Sequence, residues 1–153
     1  MLKPMTTRVP ISSLLHHKGP ALWSVSPETT VFDALKMMAD RNIGALPVMS
    51  DKKLAGLFTE RDYARKIVLR GKSSRETLVR EIVSSSVPTA TPEDSVEDCM
   101  KRMTEKRVRH LPVIEHGEVV GIVSIGDLVN WIISAQDAAI AQMEQYIAGG
   151  VSA

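Results

Sequence analysis

The sequence predicts a mixed α/β (α+β) fold built from two copies of one β-α-β-β-α unit. Three observations predict it. Residues Val25 to Val68 align without a gap to Ala90 to Ile133, 65 positions further on: Pro27-Glu28 meets Pro92-Glu93, Leu46-Pro47-Val48 meets Leu111-Pro112-Val113, and Gly56, Asp62 and Ile67 meet Gly121, Asp127 and Ile132. Each copy carries an apolar stripe at helical spacing, Val31, Ala34, Leu35 and Met38 in one and Val96, Cys99, Met100 and Met103 in the other. Each stripe is followed by two short apolar runs around a polar turn. Two copies imply two similar units that bury a face against each other, with equivalent clefts on either side of the joint. A solenoid needs about three repeats.

Taken in order, Val9 to Lys18 predicts a short helix with apolar Val9, Leu14 and Leu15, stopped by Gly19-Pro20. Trp23-Ser24-Val25 is a short extended entry. Thr30-x-x-Asp33 has the form of a capping box, opening a helix that Asn42 to Gly44 ends. Ala45 to Met49 and Leu54 to Phe58 predict strands, with Pro47 arguing for an edge or irregular one. Thr59 then opens a second helix, expected to run to about Leu69. Arg70 to Arg75, polar and basic, predicts a surface linker, and Thr77 to Val83 a short helix leading to the second copy. There, Ser95-x-x-Asp98 caps the striped helix. Leu111 to Ile114 and Val119 to Val123 predict strands around Glu115-His116-Gly117-Glu118, and Ser124 opens the last helix of the unit. Beyond it, Ile140, Met143 and Ile147 share one helical face, which predicts packing on the body or on a second subunit.

Composition excludes several classes. At 153 residues with a formal charge of +1, the chain has no basic field to attract nucleic acid. Its single cysteine, Cys99, rules out an intramolecular disulfide and stands opposite Ala34, which predicts a small buried residue. No apolar run approaches the ~18–20 residues of a membrane span, and Met1 to Pro10 has no secretory h-region. The expected compartment is the cytoplasm. Adjacent His16 and His17 diverge on a helix and make a poor chelate, so no metal site is expected. No nucleophile triad, Walker loop or paired catalytic carboxylate is present.

Ile43-Gly44-Ala45-Leu46-Pro47-Val48 followed by Gly56-Leu57-Phe58-Thr59-Glu60-Arg61-Asp62, with Val108-Arg109-His110-Leu111-Pro112-Val113 followed by Gly121-Ile122-Val123-Ser124-Ile125-Gly126-Asp127, resembles a tandem pair of cystathionine-β-synthase (CBS) domains, a Bateman module. The resemblance implies two motifs about a pseudo-twofold axis. It divides the chain into an N-terminal extension (1–22), a first motif (23–69), a linker and short helix (70–82), a second motif (83–134) and a C-terminal helix and tail (135–153). With no catalytic, transport or DNA-binding segment beside the pair, the expectation is a stand-alone regulatory module. Such modules bind adenosine-containing ligands, and AMP or NAD is expected here ahead of ATP, with no catalytic cofactor.

The resemblance also implies site residues. Asp62 and Asp127 match the aspartate that accepts the ribose hydroxyls, and a carboxylate can take both donors of a cis-diol. Thr59-x-x-Asp62 and Ser124-x-x-Asp127 equally have capping form, worth about 0.5–2 kcal/mol with no ligand; both readings stand. Thr59 and Ser124 sit at helix N-termini hospitable to anions, or simply cap. Arg109 and His110 replace uncharged Gly44 and Ala45, which implies a phosphate contact or, in the plainer reading, a solvated charge beside Arg107 at a helix end. Arg61, opposite Gly126, is the corresponding cation of the first copy or only a surface residue. Val25, Ile43, Ala90 and Val108 offer apolar faces to an adenine, and Pro47 and Pro112 set the strand path beside it. Three function classes follow: a nucleotide-binding regulatory module, expected to form a homodimer and to act on an unidentified partner protein; a ligand-free CBS pair serving as a dimerisation module; and an enzyme, which no residue set supports.

Overall fold

The computed structural model describes residues 9–151; residues 1–8, and with them most of the stretch Met1 to Pro10 read as lacking a secretory h-region, lie outside them. Helix α1 (Ile11–Lys18) leads to the first unit: helix α2 (Val31–Arg41), strands β1 (Ala45–Ser50) and β2 (Lys53–Thr59), and helix α3 (Glu60–Asp62), which runs on as a π-helical stretch (Tyr63–Val68). A 3₁₀ turn (Val79–Glu81) leads to the second unit: α4 (Val96–Lys106), β3 (His110–Glu115), β4 (Glu118–Ser124) and α5 (Ile125–Val151). The predicted element order holds in both copies.

The local chemistry repeats too. Thr30 and Ser95 accept the N–H of Asp33 and Asp98 and so start α2 and α4, and the Asp98 carboxylate answers by accepting the Ser95 N–H. Both helices end on a left-handed residue, Asn42 at φ 54° and Arg107 at φ 55°. Each hairpin turns on two residues of positive φ, Asp51-Lys52 and His116-Gly117, as the right-handed strand twist favours. Val25 and Ala90 add one-residue parallel bridges to Val48 and Val113. The Val25 N–H donates to the Pro47 carbonyl at 3.1 Å and the Met49 N–H to the Val25 carbonyl at 2.8 Å. Pro47 therefore turns the side on which it lacks a donor toward a single residue, and the pairing with β2 loses nothing.

Several boundaries differ from expectation. Within Thr77 to Val83 only a single 3₁₀ turn forms, Val79–Glu81, shorter than the helix expected there. Residues 125–151 form one continuous helix, so no break separates the second motif from the tail. On it Ile140, Met143 and Ile147 are 54, 60 and 60% exposed, so they do not pack on the body of this chain.

The N-terminal extension is more than an extension. Ile11 and Leu14 are buried in the core of the second unit, among Ala90, Val96, Cys99, Met103, Leu111, Val113, Val123 and Leu128. Val79 and Ile82 complete the first, among Val25, Val31, Ala34, Met38, Leu46, Val48, Phe58 and Ile67. The two insertions are equivalent. Ile11 N–H donates to the Asp94 carbonyl and Ser12 N–H to Pro92; Val79 N–H donates to Thr29 and Arg80 N–H to Pro27, the matching residues of the other copy. Gly121 admits Leu15, whose Cδ2 lies 2.9 Å from where a Cβ would stand, and Gly56 admits Val83 at 2.8 Å. The repeat thus extends back over residues 9–15 and 77–83, each closing the unit that lies on the far side of the pseudo-twofold from its own.

Truncating Ile11, fully buried, to alanine should cost about 2–5 kcal/mol. Hydrogen exchange should place that loss in the second unit, Ala90 to Leu128, although the substitution lies before the first.

Candidate functional site

Each unit hands a strand over to a helix at one junction, and both junctions are capped. The Asp62 carboxylate accepts the Thr59 N–H at 2.9 Å and the Thr59 hydroxyl at 3.1 Å, while Thr59 Oγ1 accepts the Asp62 N–H at 3.2 Å. Ser124 and Asp127 repeat the box at 2.9 and 3.0 Å. The capping reading of both Asp–hydroxyl pairs is therefore realised in the structure. The neutralising cations differ. Asp62 Oδ1 meets Lys66 Nζ of the next turn at 3.3 Å, whereas Asp127 Oδ2 meets Lys18 Nζ of α1 at 2.7 Å.

Between the units lies a cavity of about 410 Å³ lined by Gly44, Leu57, Thr59, Glu60 and Arg61 of the first and Arg107, Val108, Arg109 and His110 of the second. It brings together six expected site residues, Gly44, Thr59, Arg61, Val108, Arg109 and His110. The packing is tight at the joint: a Cβ on Gly44 would stand 3.2 Å from Glu60 Oε1 and 3.6 Å from His110 Cε1. The two junctions also mirror each other, the Glu60 N–H donating to the Gly44 carbonyl and the Ile125 N–H to the Arg109 carbonyl. Arg61 reaches across to the Arg107 carbonyl at 3.3 Å. Three exposed guanidinium side chains around one glutamate give the cavity an excess of positive charge and planar donor forks suited to phosphate.

The other expected residues do not line this cavity. Val25, Ala45, Pro47, Ala90 and Pro112 are buried in or beside the strands. Ile43 borders a neighbouring hollow of about 490 Å³ with Gly44, Glu60 and Tyr63. Asp127 lines a separate cavity of about 460 Å³ between α1 and α5, with Leu14, His17, Lys18, Asn130, Trp131, Ser134 and Ala135. The Trp131 ring meets His17 edge-on at 6.1 Å, and its indole N–H is buried without a partner among the described residues. Sequence reasoning did not find Lys18, because its contact with Asp127 spans 109 positions and follows no motif. Glu60, whose counterpart in the other copy is the apolar Ile125, carried no signal that the repeat comparison tests.

His110 is the electrostatic meeting point. Burial pushes its pKa below the ordinary 6.5; Asp127 and Glu60 pull upward, and Lys18 and Arg109 push downward. The imidazole is therefore neutral at pH 7 and poised to take up a proton when an anion approaches. Cys99 is inert: burial raises its thiol to about 11. Among the described residues no cluster of His, Cys, Asp and Glu could hold a metal ion, and no helix is long and apolar enough to cross a membrane.

Comparison with known proteins fits this geometry. The family model described as CBS domain matches residues 5–69 and again 79–134. The mitochondrial CBS domain-containing protein CBSX3 of Arabidopsis thaliana is 39% identical over 150 residues, which are 92% of this chain and 72% of the relative. The crystal structure of the CBS domain NE2398 is 46% identical and superposes with a TM-score of 0.78, covering 82% of this chain and 98% of that one. The CBS pair of protein MJ0100, solved with 5′-methylthioadenosine and S-adenosyl-L-methionine, shares the fold at a TM-score of 0.74 with 23% identity, covering 83% of this chain and 98% of its own.

The depressed His110 pKa has a stability consequence. Below pH 6.5 the unfolded chain takes a proton that the folded one refuses, so this contribution is intact above 6.5 and is lost as pH falls through the folded value. Urea unfolding should show His110→Gln losing less stability than the parent between pH 7 and 5.5. An imidazole titration midpoint at or above 6.5 would contradict it.

Proposed function

The chain belongs to the CBS domain family, and from that premise we propose that it is a non-enzymatic regulatory module that takes up an adenosine nucleotide between its two motifs. One observation carries the reading: a single cavity draws its wall from both motifs and concentrates Arg61, Arg107, Arg109 and His110 beside the helix N-terminus at Thr59. A phosphate there accepts forked, charge-assisted hydrogen bonds. The apolar residues around it, Ile43 and Val108, suit a base, and the capping carboxylates suit a ribose. The adenosine compounds held by the same fold in MJ0100 support the ligand class. AMP or NAD is the leading candidate and ATP the third. Ligand that prefers one arrangement of the motifs stabilises it, and a bound partner protein then meets a different surface.

A second reading has its own observation. Both carboxylates already serve as caps and ion-pair partners, and α5 exposes Ile133, Ile140, Met143, Tyr146 and Ile147. A CBS pair without ligand would use that face to dimerise. The face supports a homodimer under either reading, in the cytoplasm as the expected compartment.

Two measurements follow. Calorimetry with AMP, NAD, ATP, adenosine and GTP should find the adenosine compounds bound and GTP much weaker, since polar groups matched to one base edge go unpaired with the other. Arg109→Ala should weaken AMP by about 10- to 100-fold and leave adenosine nearly unchanged, the loss of one charge-assisted contact. Equal loss for both would make Arg109 a packing residue, and silence from every adenosine compound would favour the second reading. Light scattering at micromolar concentration should give about twice the 16.8 kDa of the chain; a clean monomer with and without nucleotide would contradict the dimer.

A further inference from the structure

The two copies match at their capped junctions and differ in what holds the capping carboxylate. In the first unit the cation is Lys66, one turn along the same helical run; its ammonium also donates to the Ile82 carbonyl at 2.8 Å. The matching position in the second unit is Trp131, which carries no charge. Its place is taken by Lys18, the last residue of α1, which donates to Asp127 Oδ2 at 2.7 Å and to the Ile122 carbonyl at 3.0 Å. Asp127 Oδ2 therefore holds two donors, the Ser124 N–H and the Lys18 ammonium, which uses both of its lone pairs. Lys18 also stands close enough to act on the charge of His110. The residue after it, Gly19, is at φ 100° with open space around it, and Gly19 and Pro20 leave the helix there.

We propose that Lys18 is a strap: it holds the end of α1 on the Asp127 carboxylate, fills Oδ2 so that an incoming ribose diol meets only Oδ1, and lets go when a ligand takes both oxygens. The inference rests on the nucleotide-binding reading for its ligand but not for the strap itself. Three consequences are physical. The two carboxylates are unequal, because a ligand that takes both oxygens of Asp127 displaces a cation carried by another element, whereas Lys66 at Asp62 moves only with its own helical run. Ligand at Asp127 is reported at α1, because the strap is the last side chain of that helix. The strap is light, since Lys18 and Asp127 are partly exposed at 38 and 24%, so it yields to a ligand without disturbing Ile11 and Leu14, buried further up the same helix.

The strap is tested on the whole chain in two arms. In the ligand-free arm, amide exchange of residues 15–19 is compared for the parent, Lys18→Met and Asp127→Asn, with Asp62→Asn as the control. Exchange should quicken several-fold in Lys18→Met and Asp127→Asn and stay at the parental rate in Asp62→Asn. Unchanged exchange in the first two overturns the strap whatever binds. Lys18→Met keeps the apolar stem and leaves the capping box alone, so it separates loss of the strap from loss of the Asp127 cap. In the ligand arm, AMP is titrated into parent and Lys18→Met. The strap predicts about 2- to 5-fold tighter binding at Asp127 in the variant, with AMP quickening exchange at residues 15–19 of the parent. A weaker site in Lys18→Met would make Lys18 a ligand contact and overturn the strap. Binding at parental affinity with no change in α1 would overturn the competition. No binding to either protein, with the ligand-free arm positive, refutes nucleotide uptake and with it ligand-driven release, while leaving the tether as a fact of the fold.

Discussion

Everything in this molecule depends on an exchange of short apolar segments. Neither β-α-β-β-α unit can close its own hydrophobic face. The first is completed by Val79 and Ile82, the second by Ile11 and Leu14. Glycines at equivalent strand positions, Gly56 and Gly121, exist because Val83 and Leu15 lie where a Cβ would stand. The second unit is thereby held by residues some eighty positions before it, so its core forms only when the chain has come full circle. Loop closure over that distance carries an entropy cost that the buried side chains must offset.

The exchange also fixes the site. It sets the two capped junctions face to face, so that Gly44 and Glu60 of one unit meet His110 and Arg109 of the other. A cavity assembled in this way belongs to neither unit, and any group bound there touches both. Under the proposed function, differential contact with two bodies is what would let binding shift their arrangement. The asymmetry of charge, Arg109 and His110 against Gly44 and Ala45, concentrates the cation donors on one wall. The asymmetry of neutralisation, Lys66 against Lys18, makes the two carboxylates answer to different parts of the chain.

Much of the fold was legible because the repeat tests each reading twice. The helices, both hairpins and the capping positions follow from the period of Val31-Ala34-Leu35-Met38 and its copy, and from Thr30, Ser95, Thr59 and Ser124. The exchanged segments were not legible. Ile11 and Leu14 read as one amphipathic turn with no indication of which unit it covers, and their counterparts Val79 and Ile82 stand 68 positions away rather than 65, so a gapless alignment passes over them. Thr77 to Val83 read as a helix for a different reason: apolar spacing does not distinguish one 3₁₀ turn from a helix over so few residues. In the candidate site, Gly44, Thr59, Arg61, Val108, Arg109 and His110 were each legible as candidates, but for two equivalent clefts; the single cavity that gathers them was not. Lys18 was not, because side-chain pairing across 109 positions leaves no local pattern.

The central claim is that one ligand engages both motifs at the shared cavity. The most direct measurement is an amide NMR titration with AMP on the isotope-labelled chain. The account predicts that shifts appear together, with one affinity, at Gly44 and Arg61 on one side and at Arg109 and His110 on the other. Shifts confined to one motif, or none at saturating nucleotide, would contradict it.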